Sequence, residues 1–278
     1  MSVRVTIDGS EIEVDDGATL LDACRGVEIE TPTLCYLENL TPVNACRVCV
    51  VEVEGSRALV PACSRPAEEG MVVRTDSERV RTSRRMVLEL LATDADLSEA
   101  DDDVARWCGE LGVDTDRYDS SATATVAQDV KRQDELYVRD YARCILCYKC
   151  VEACGEDAQH TFAIAVAGRG HGAHISTEFD VTLPESACVY CGNCIGVCPT
   201  GALEFTSVFD LKLSGRWAPE RQSVTTTVCA YCGVGCNLEV HVQDDRVVKV
   251  TSPLDHDVTN GHLCVKGRFG WGYVNDGS

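Results

Sequence analysis

Sixteen cysteines arranged as four groups of four constrain this chain more than any other feature. They stand at Cys35, Cys46, Cys49 and Cys63; at Cys144, Cys147, Cys150 and Cys154; at Cys188, Cys191, Cys194 and Cys198; and at Cys229, Cys232, Cys236 and Cys264. Two more, Cys24 and Cys108, fall outside the groups, making 18 in 278 residues. No run approaches the roughly 18 consecutive apolar residues of a transmembrane helix. The start, Met1-Ser2-Val3-Arg4-Val5-Thr6-Ile7-Asp8, reads as a strand rather than as an export signal. A cytoplasmic location is therefore expected, and there a disulfide framework does not persist. Thiolates are soft ligands that select iron–sulfur clusters or zinc over hard cations. The short C-x2-C spacings let two sulfurs from one turn of backbone reach the same metal core.

Composition narrows the partners. Apolar residues make up 45% and charged residues 25%, the balance of a folded chain rather than a disordered one. The formal charge is −20, from 25 basic and 45 acidic residues, which argues against nucleic acid and against anionic lipid surfaces. The acidic residues are spread along the chain, and Arg outnumbers Lys by 20 to 5. A strongly charged, salt-adapted surface accounts for that spread, and one acidic face docking a basic partner is the alternative.

The middle of the chain carries the most specific pattern. Cys144-x2-Cys147-x2-Cys150-x3-Cys154 and Cys188-x2-Cys191-x2-Cys194-x3-Cys198-Pro199 have the spacing of bacterial two-cluster ferredoxins. In that arrangement the fourth cysteine of each run ligates the other cluster. One [4Fe–4S] centre would take Cys144, Cys147, Cys150 and Cys198, and the other Cys188, Cys191, Cys194 and Cys154. Gly155 stands where the first run would have proline, and glycine turns the chain there equally well. Gly168-Arg169-Gly170-His171-Gly172, in the insert between the runs, lacks a strand–loop–helix context and reads as a hairpin tip, not a phosphate loop.

On the N-terminal side, Val3 to Ile7 and Glu11 to Val14 alternate as strands around Asp8-Gly9, and Ala18 to Cys24 reads as a short helix. A C-x10-C-x2-C-x13-C pattern follows, with a strand from Val48 to Val53 after its central pair. A small mixed sheet around a [2Fe–2S] centre is expected, with zinc as the alternative ion. Cys24 lies on the apolar helix face and is expected in the core. This segment resembles the N-terminal [2Fe–2S] domain of the complex I large iron–sulfur subunit, iron-only hydrogenases and cytosolic formate dehydrogenases. In those families the next helix leads to a cluster held by one His and three Cys. Here residues 78 to 92 read as a helix, but the acidic run from Thr93 to Asp103 has no His and no Cys, and Cys108 alone cannot hold a cluster. The run is expected to form a solvated helical surface, and residues 114 to 129 a polar linker.

On the C-terminal side, Ser223 to Val228 reads as a strand before Cys229-x2-Cys232-x3-Cys236-x27-Cys264. Leu238 to Val242 and Arg246 to Val250 read as a hairpin around Asp244-Asp245. With the ending Gly261-His262-Leu263-Cys264-Val265-Lys266-Gly267-Arg268-Phe269, this resembles the [4Fe–4S] lobe of molybdenum or tungsten bis-pterin oxidoreductases, formate dehydrogenases above all. There a lysine two residues after the last cysteine lies between cluster and pterin, and Lys266 matches it.

The resemblance implies an α+β, multi-domain iron–sulfur protein. Its parts would be a [2Fe–2S] ferredoxin-like (β-grasp) domain over 1–80, a helical connector over 81–135, a two-[4Fe–4S] ferredoxin domain over 136–210, and a molybdopterin-oxidoreductase [4Fe–4S] domain over 222–278. It implies one [2Fe–2S] and three [4Fe–4S] centres, and a molybdopterin (bis-pterin guanine dinucleotide with Mo or W) at an interface with a larger catalytic chain. It also implies a flavin/NAD, ferredoxin or quinone-linked acceptor subunit. The expected function is to pass electrons from formate oxidation, either as a subunit or as part of a longer chain. Neither spare cysteine is placed to ligate a catalytic metal, so no formate oxidation is expected of these residues alone. The alternative is a non-catalytic wiring subunit of a complex I-like or hydrogenase assembly.

Overall fold

The computed structural model describes residues 2–98, 100–118 and 129–275. The chain divides into two compact units, Met1–Tyr36 with Pro42–Ala124, and Leu37–Thr41 with Thr125–Ser278.

The first unit is built on a five-stranded sheet of order β2-β1-β5-β3-β4. Strands β1 (Ser2–Ile7) and β2 (Ser10–Asp15) pair antiparallel. The turn between them has positive φ at Asp8 (47°) and Gly9 (88°), the geometry that a two-residue hairpin demands. Strand β5 (Val72–Arg74) runs parallel to β1 and antiparallel to β3 (Val50–Val53), which pairs with β4 (Val60–Pro61). Helix α1 (Leu20–Gly26) starts at a reciprocal capping box between Thr19 and Asp22. Leu20, Leu21, Ala23 and Cys24 are buried against Val5, Ile7, Val51 and Val73, so Cys24 is a core residue.

Helix α2 (Glu78–Asp94) is capped by Ser77, and α3 (Asp102–Leu111) ends at Gly112 in the left-handed conformation. The acidic stretch is therefore not one helical surface. Asp94 closes α2, while Asp102 and Asp103 occupy the first turn of α3, where negative charge meets the positive end of the helix dipole. Most of the expected linker, residues 119–128, lies outside the described residues.

The second unit joins two antiparallel pairs and a three-stranded sheet. Strand β6 (Tyr137–Arg139) pairs with β9 (Leu203–Phe205), bracketing both ferredoxin-type runs; Cys154 is the last residue of the short helix α4 (Lys149–Cys154), and Cys198 follows the short helix α5 (Asn193–Gly196). Strands β7 (Ala165–Ala167) and β8 (His174–Ser176) form a hairpin, and the Gly168–Gly172 segment is its tip. After α6 (Thr206–Leu213) comes the sheet β10 (Gln222–Val228), β11 (Asn237–Gln243), β12 (Arg246–Thr251), with Asp244 and Asp245 at the turn, then α7 (Val265–Phe269). Leu37–Thr41 belongs here because Leu40 is buried beside Tyr137 and Ile195, and Thr41 donates from its backbone N and its Oγ1 to Asp157 at 2.7 and 2.8 Å.

Candidate metal centres

In the first unit, sheet register assembles the sulfurs. Val50 faces Pro61 and Val51 faces Val60, and Ala62 N donates to Cys49 O at 3.1 Å. That pairing sets Cys49 Sγ 3.4 Å from Cys63 Sγ. The other two cysteines meet in the preceding loop, where Cys46 N donates to Cys35 Sγ at 3.5 Å. Asn44 and Arg47 flank Cys46 with φ of 61° and 60°, a left-handed conformation that turns the loop about its ligands at an energetic cost. Cys35, Cys49 and Cys63 are buried. A thiol hydrogen bond from Cys46 holds Cys35 down to about 5, and one from Cys63 holds Cys49 down to about 7, while the donating partners are raised. Two pairs of neighbouring sulfurs could supply two thiolates to each iron of a two-iron centre.

In the second unit the two ferredoxin-type runs fold alike. The second and fourth residues after each first cysteine adopt positive φ, Leu146 (50°) and Tyr148 (63°) in one run, Tyr190 (57°) and Gly192 (73°) in the other. The sulfurs group crosswise. Cys144, Cys147, Cys150 and Cys198 line one small cavity, and Cys188, Cys191, Cys194 and Cys154 line another. The electrostatic neighbours agree: Cys198 acts on Cys144, whereas Cys154 acts on Cys188 and Cys191. Among the described residues no three His, Cys, Asp or Glu side chains are grouped to hold a metal ion. These sulfurs instead stand around enclosed space, as a four-iron cube with one thiolate per corner requires. Burial pushes Cys144 up to about 12 and Cys150 and Cys194 well up, so binding a metal there must displace their protons.

Several residues around the second cavity escape sequence reasoning. Thr161 Oγ1 lies 3.4 Å from Cys154 Sγ, and Tyr190 N donates to Cys188 Sγ at 3.4 Å. Tyr137 stacks on Tyr190 with centroids 5.6 Å apart, and its hydroxyl accepts from Gly192 N at 2.9 Å. Only the Tyr190 contact follows from a run's own backbone; the other groups arrive from distant strands and loops, without local signal.

The fourth group is more open. Cys229 N donates to Cys236 O at 2.8 Å, closing the loop, and Cys264 is the N-cap of α7. Cys236 is raised by burial and by the sulfurs of Cys229, Cys232 and Cys264, which places all four in one neighbourhood. Cys232 and Cys264 are exposed, as are the apolar side chains of Val228, Tyr231, Val234 and Val265. Lys266 is exposed on α7.

Sheet, cavities and sulfur groupings define a multi-domain iron–sulfur protein that carries electrons. Comparison with known families places it further. Residues 1–78 match the 2Fe-2S iron-sulfur cluster binding domain, 143–202 the 4Fe-4S dicluster domain, and 222–276 the molybdopterin oxidoreductase Fe4S4 domain. The chain belongs with the iron–sulfur regions shared by formate dehydrogenases, complex I subunits and hydrogenase subunits. It is 36% identical over 279 residues to the NADPH-Fe(3+) oxidoreductase subunit alpha of Geobacter sulfurreducens (strain DL-1 / KN400), covering 98% of this chain and 32% of that one. It is 34% identical to an NADH-quinone oxidoreductase subunit of Rhizobium meliloti (strain 1021), covering 98% and 31%. To a candidate formate dehydrogenase of Staphylococcus haemolyticus (strain JCSC1435) it is 29% identical, covering 98% and 31%. The chain thus spans about a third of the length of these relatives. The crystal structure of an NAD+-reducing [NiFe]-hydrogenase in the H2-reduced state shares the fold, with a TM-score of 0.60 and 24% identity over 74% of this chain and 88% of that one. Among the described residues no helix is long and apolar enough to cross a membrane.

Proposed function

We propose that this chain conducts electrons from formate oxidation to an acceptor subunit as the iron–sulfur part of a molybdenum or tungsten formate dehydrogenase. In this reading Cys35 and Cys46 hold one iron of a [2Fe–2S] centre and Cys49 and Cys63 the other. The two crosswise quartets hold [4Fe–4S] cubes, and Cys229, Cys232, Cys236 and Cys264 hold a third. Each such centre accepts and releases one electron at a time, which is the chemistry the groups supply when bound. The protein's part is to bury the thiolates, surround them with backbone N–H donors and exclude water.

The observation that carries the formate reading is Lys266, exposed two residues beyond Cys264 on the open side of the fourth quartet. A lysine there offers three N–H donors and a positive charge to an anionic cofactor held by a larger pterin-binding chain or by further residues of the same polypeptide. The exposed Val228, Tyr231, Val234 and Val265 around it suit burial against such a neighbour. An acceptor of the flavin/NAD, ferredoxin or quinone-linked kind would then take electrons from the [2Fe–2S] centre.

The second reading, wiring in a complex I-like or hydrogenase assembly, is favoured by the higher identity to the NADPH- and NADH-linked relatives. Metal and sulfide analysis of the native complex separates the two. The formate reading requires about 14 iron atoms per chain, from one two-iron and three four-iron centres, together with molybdenum or tungsten. Lys266→Met should slow formate-dependent reduction of the clusters about tenfold or more, the cost of losing a charged hydrogen-bond donor, with iron content unchanged. Wild-type rates in that variant, or a complex with iron but no pterin metal, hand the assignment to the wiring reading.

A further inference from the structure

Among the described residues Arg268 is the largest fully buried side chain, with 1% of its surface exposed. It sits on α7, and its backbone N donates to Cys264 O at 3.0 Å. The side chain does not turn toward solvent as an arginine four residues past a surface cysteine would be expected to do. It runs into the second ferredoxin-type run. A Cβ on Gly192 would come within 2.7 Å of Arg268 Cγ, and one on Gly196 within 3.3 Å of its guanidinium. The glycines on either side of Cys194 are thus the floor on which the arginine lies.

Its hydrogen bonds do not neutralise it. Nη1 donates to Val250 O and Nη2 to Asn193 Oδ1, both at 3.2 Å, and both acceptors are uncharged. Nε is buried without an acceptor. The ionisable groups that face it are the thiols of Cys191 and Cys194, which become thiolates when a cluster binds, and the neutral Tyr137 hydroxyl. A buried cation with no carboxylate partner costs several kcal/mol. An anionic site beside it offsets that cost, and an oxidised cube with four thiolates is such a site. The same Asn193 Oδ1 also accepts from Leu263 N at 2.9 Å. One side chain between Cys191 and Cys194 is therefore bonded to the residue preceding Cys264, which links ligands of two proposed centres through a single hydrogen bond.

We propose that Arg268, seated on Asn193, sets the reduction potential of the centre held by Cys188, Cys191, Cys194 and Cys154, making it the one that takes electrons from the Cys229 quartet. The inference rests on the iron–sulfur reading above. Reduction adds one negative charge to the cube, and a fixed positive charge in a low-dielectric site stabilises the reduced form more than the oxidised one. Arg139, from β6, is a second cation lining the cavity of this quartet.

The test is a redox titration of the native complex followed by electron paramagnetic resonance, centre by centre, for wild type, Arg268→Gln and Arg268→Lys. The second cube is identified beforehand as the signal lost in Cys191→Ser. In Arg268→Gln its one-electron equilibrium should move at least tenfold toward the oxidised form, about 59 mV in potential, while the other three centres hold. Arg268→Lys, which keeps the charge, should restore it. A glutamine variant that titrates as wild type, or four centres shifting together, overturns the proposal. If glutamine abolishes the centre, lysine decides: a wild-type potential supports the proposal, and a tenfold fall or loss of the centre there too assigns Arg268 to structure alone. A wild-type complex that lacks cube signals, or binds zinc, instead sinks the underlying iron–sulfur reading.

Discussion

Cys49 Sγ and Cys63 Sγ lie 3.4 Å apart because β3 and β4 pair in one register, with Val50 opposite Pro61. The 13 residues between them contribute nothing to that distance except the length to turn round. Moving either strand by one residue would send its cysteine to the other face of the sheet.

The first prediction follows from that pair. Cys63→Ser should remove the two-iron signal and leave the three four-iron signals, so the iron count falls by about two. A variant that keeps a full two-iron spectrum would place the fourth ligand elsewhere.

Crosswise grouping yields the second. Cys154→Ser should disturb the cube of the Cys188 run, and Cys198→Ser the cube of the Cys144 run, because each lines the cavity formed by the other run. Spectra in which each substitution damages its own run's cube contradict the geometry.

The third concerns Arg84, 5% exposed, whose Nη2 donates to Val50 O at 2.9 Å. Val50 is the residue after Cys49, so this bond anchors the start of β3 beside the metal site. Arg84→Ala leaves a buried carbonyl unpaired and should cost about 1–3 kcal/mol. The denaturation midpoint should fall, and iron release to a chelator should quicken from the two-iron centre first. An unchanged midpoint removes the anchor role.

The fourth concerns pH. Burial, with Lys249 nearby and partly opposed by Glu239, holds His241 down to about 4 against an ordinary 6.5. Its Nε2 lies 2.8 Å from Thr251 Oγ1, which in turn donates to Glu239 Oε2 at 2.8 Å, so the neutral ring donates to the hydroxyl. Above about pH 6.5 both folded and unfolded forms are neutral there, and the histidine costs nothing. As pH falls from 6.5 toward 4 the unfolded chain takes up the proton first, so stability declines across that window. Tm measured between pH 7 and 4 should fall less steeply in His241→Gln. Parallel profiles for both proteins would show that other groups control acid sensitivity.

Local chemistry is legible in the amino-acid order. The hairpins at Asp8-Gly9 and Asp244-Asp245, the core position of Cys24 and the four cysteine groups all follow from spacing, period and turn residues acting over a few positions. The acidic stretch reads as one helical face and is not one, since nothing in its composition marks where α2 stops and α3 begins. Tertiary structure alone decided what sits against the sulfurs. Tyr137, Thr161 and Arg268 reach the second cavity or its rim from elements remote from the Cys188 run, and each looks ordinary in sequence. The physical reason is that a thiolate's ligand pattern is set by a short stretch of backbone, whereas the field around it is the sum over whatever the fold packs there. By sequence Arg268 is one basic residue among many. Only the packing of α7 on Gly192 and Gly196 makes it a buried charge beside Cys191 and Cys194.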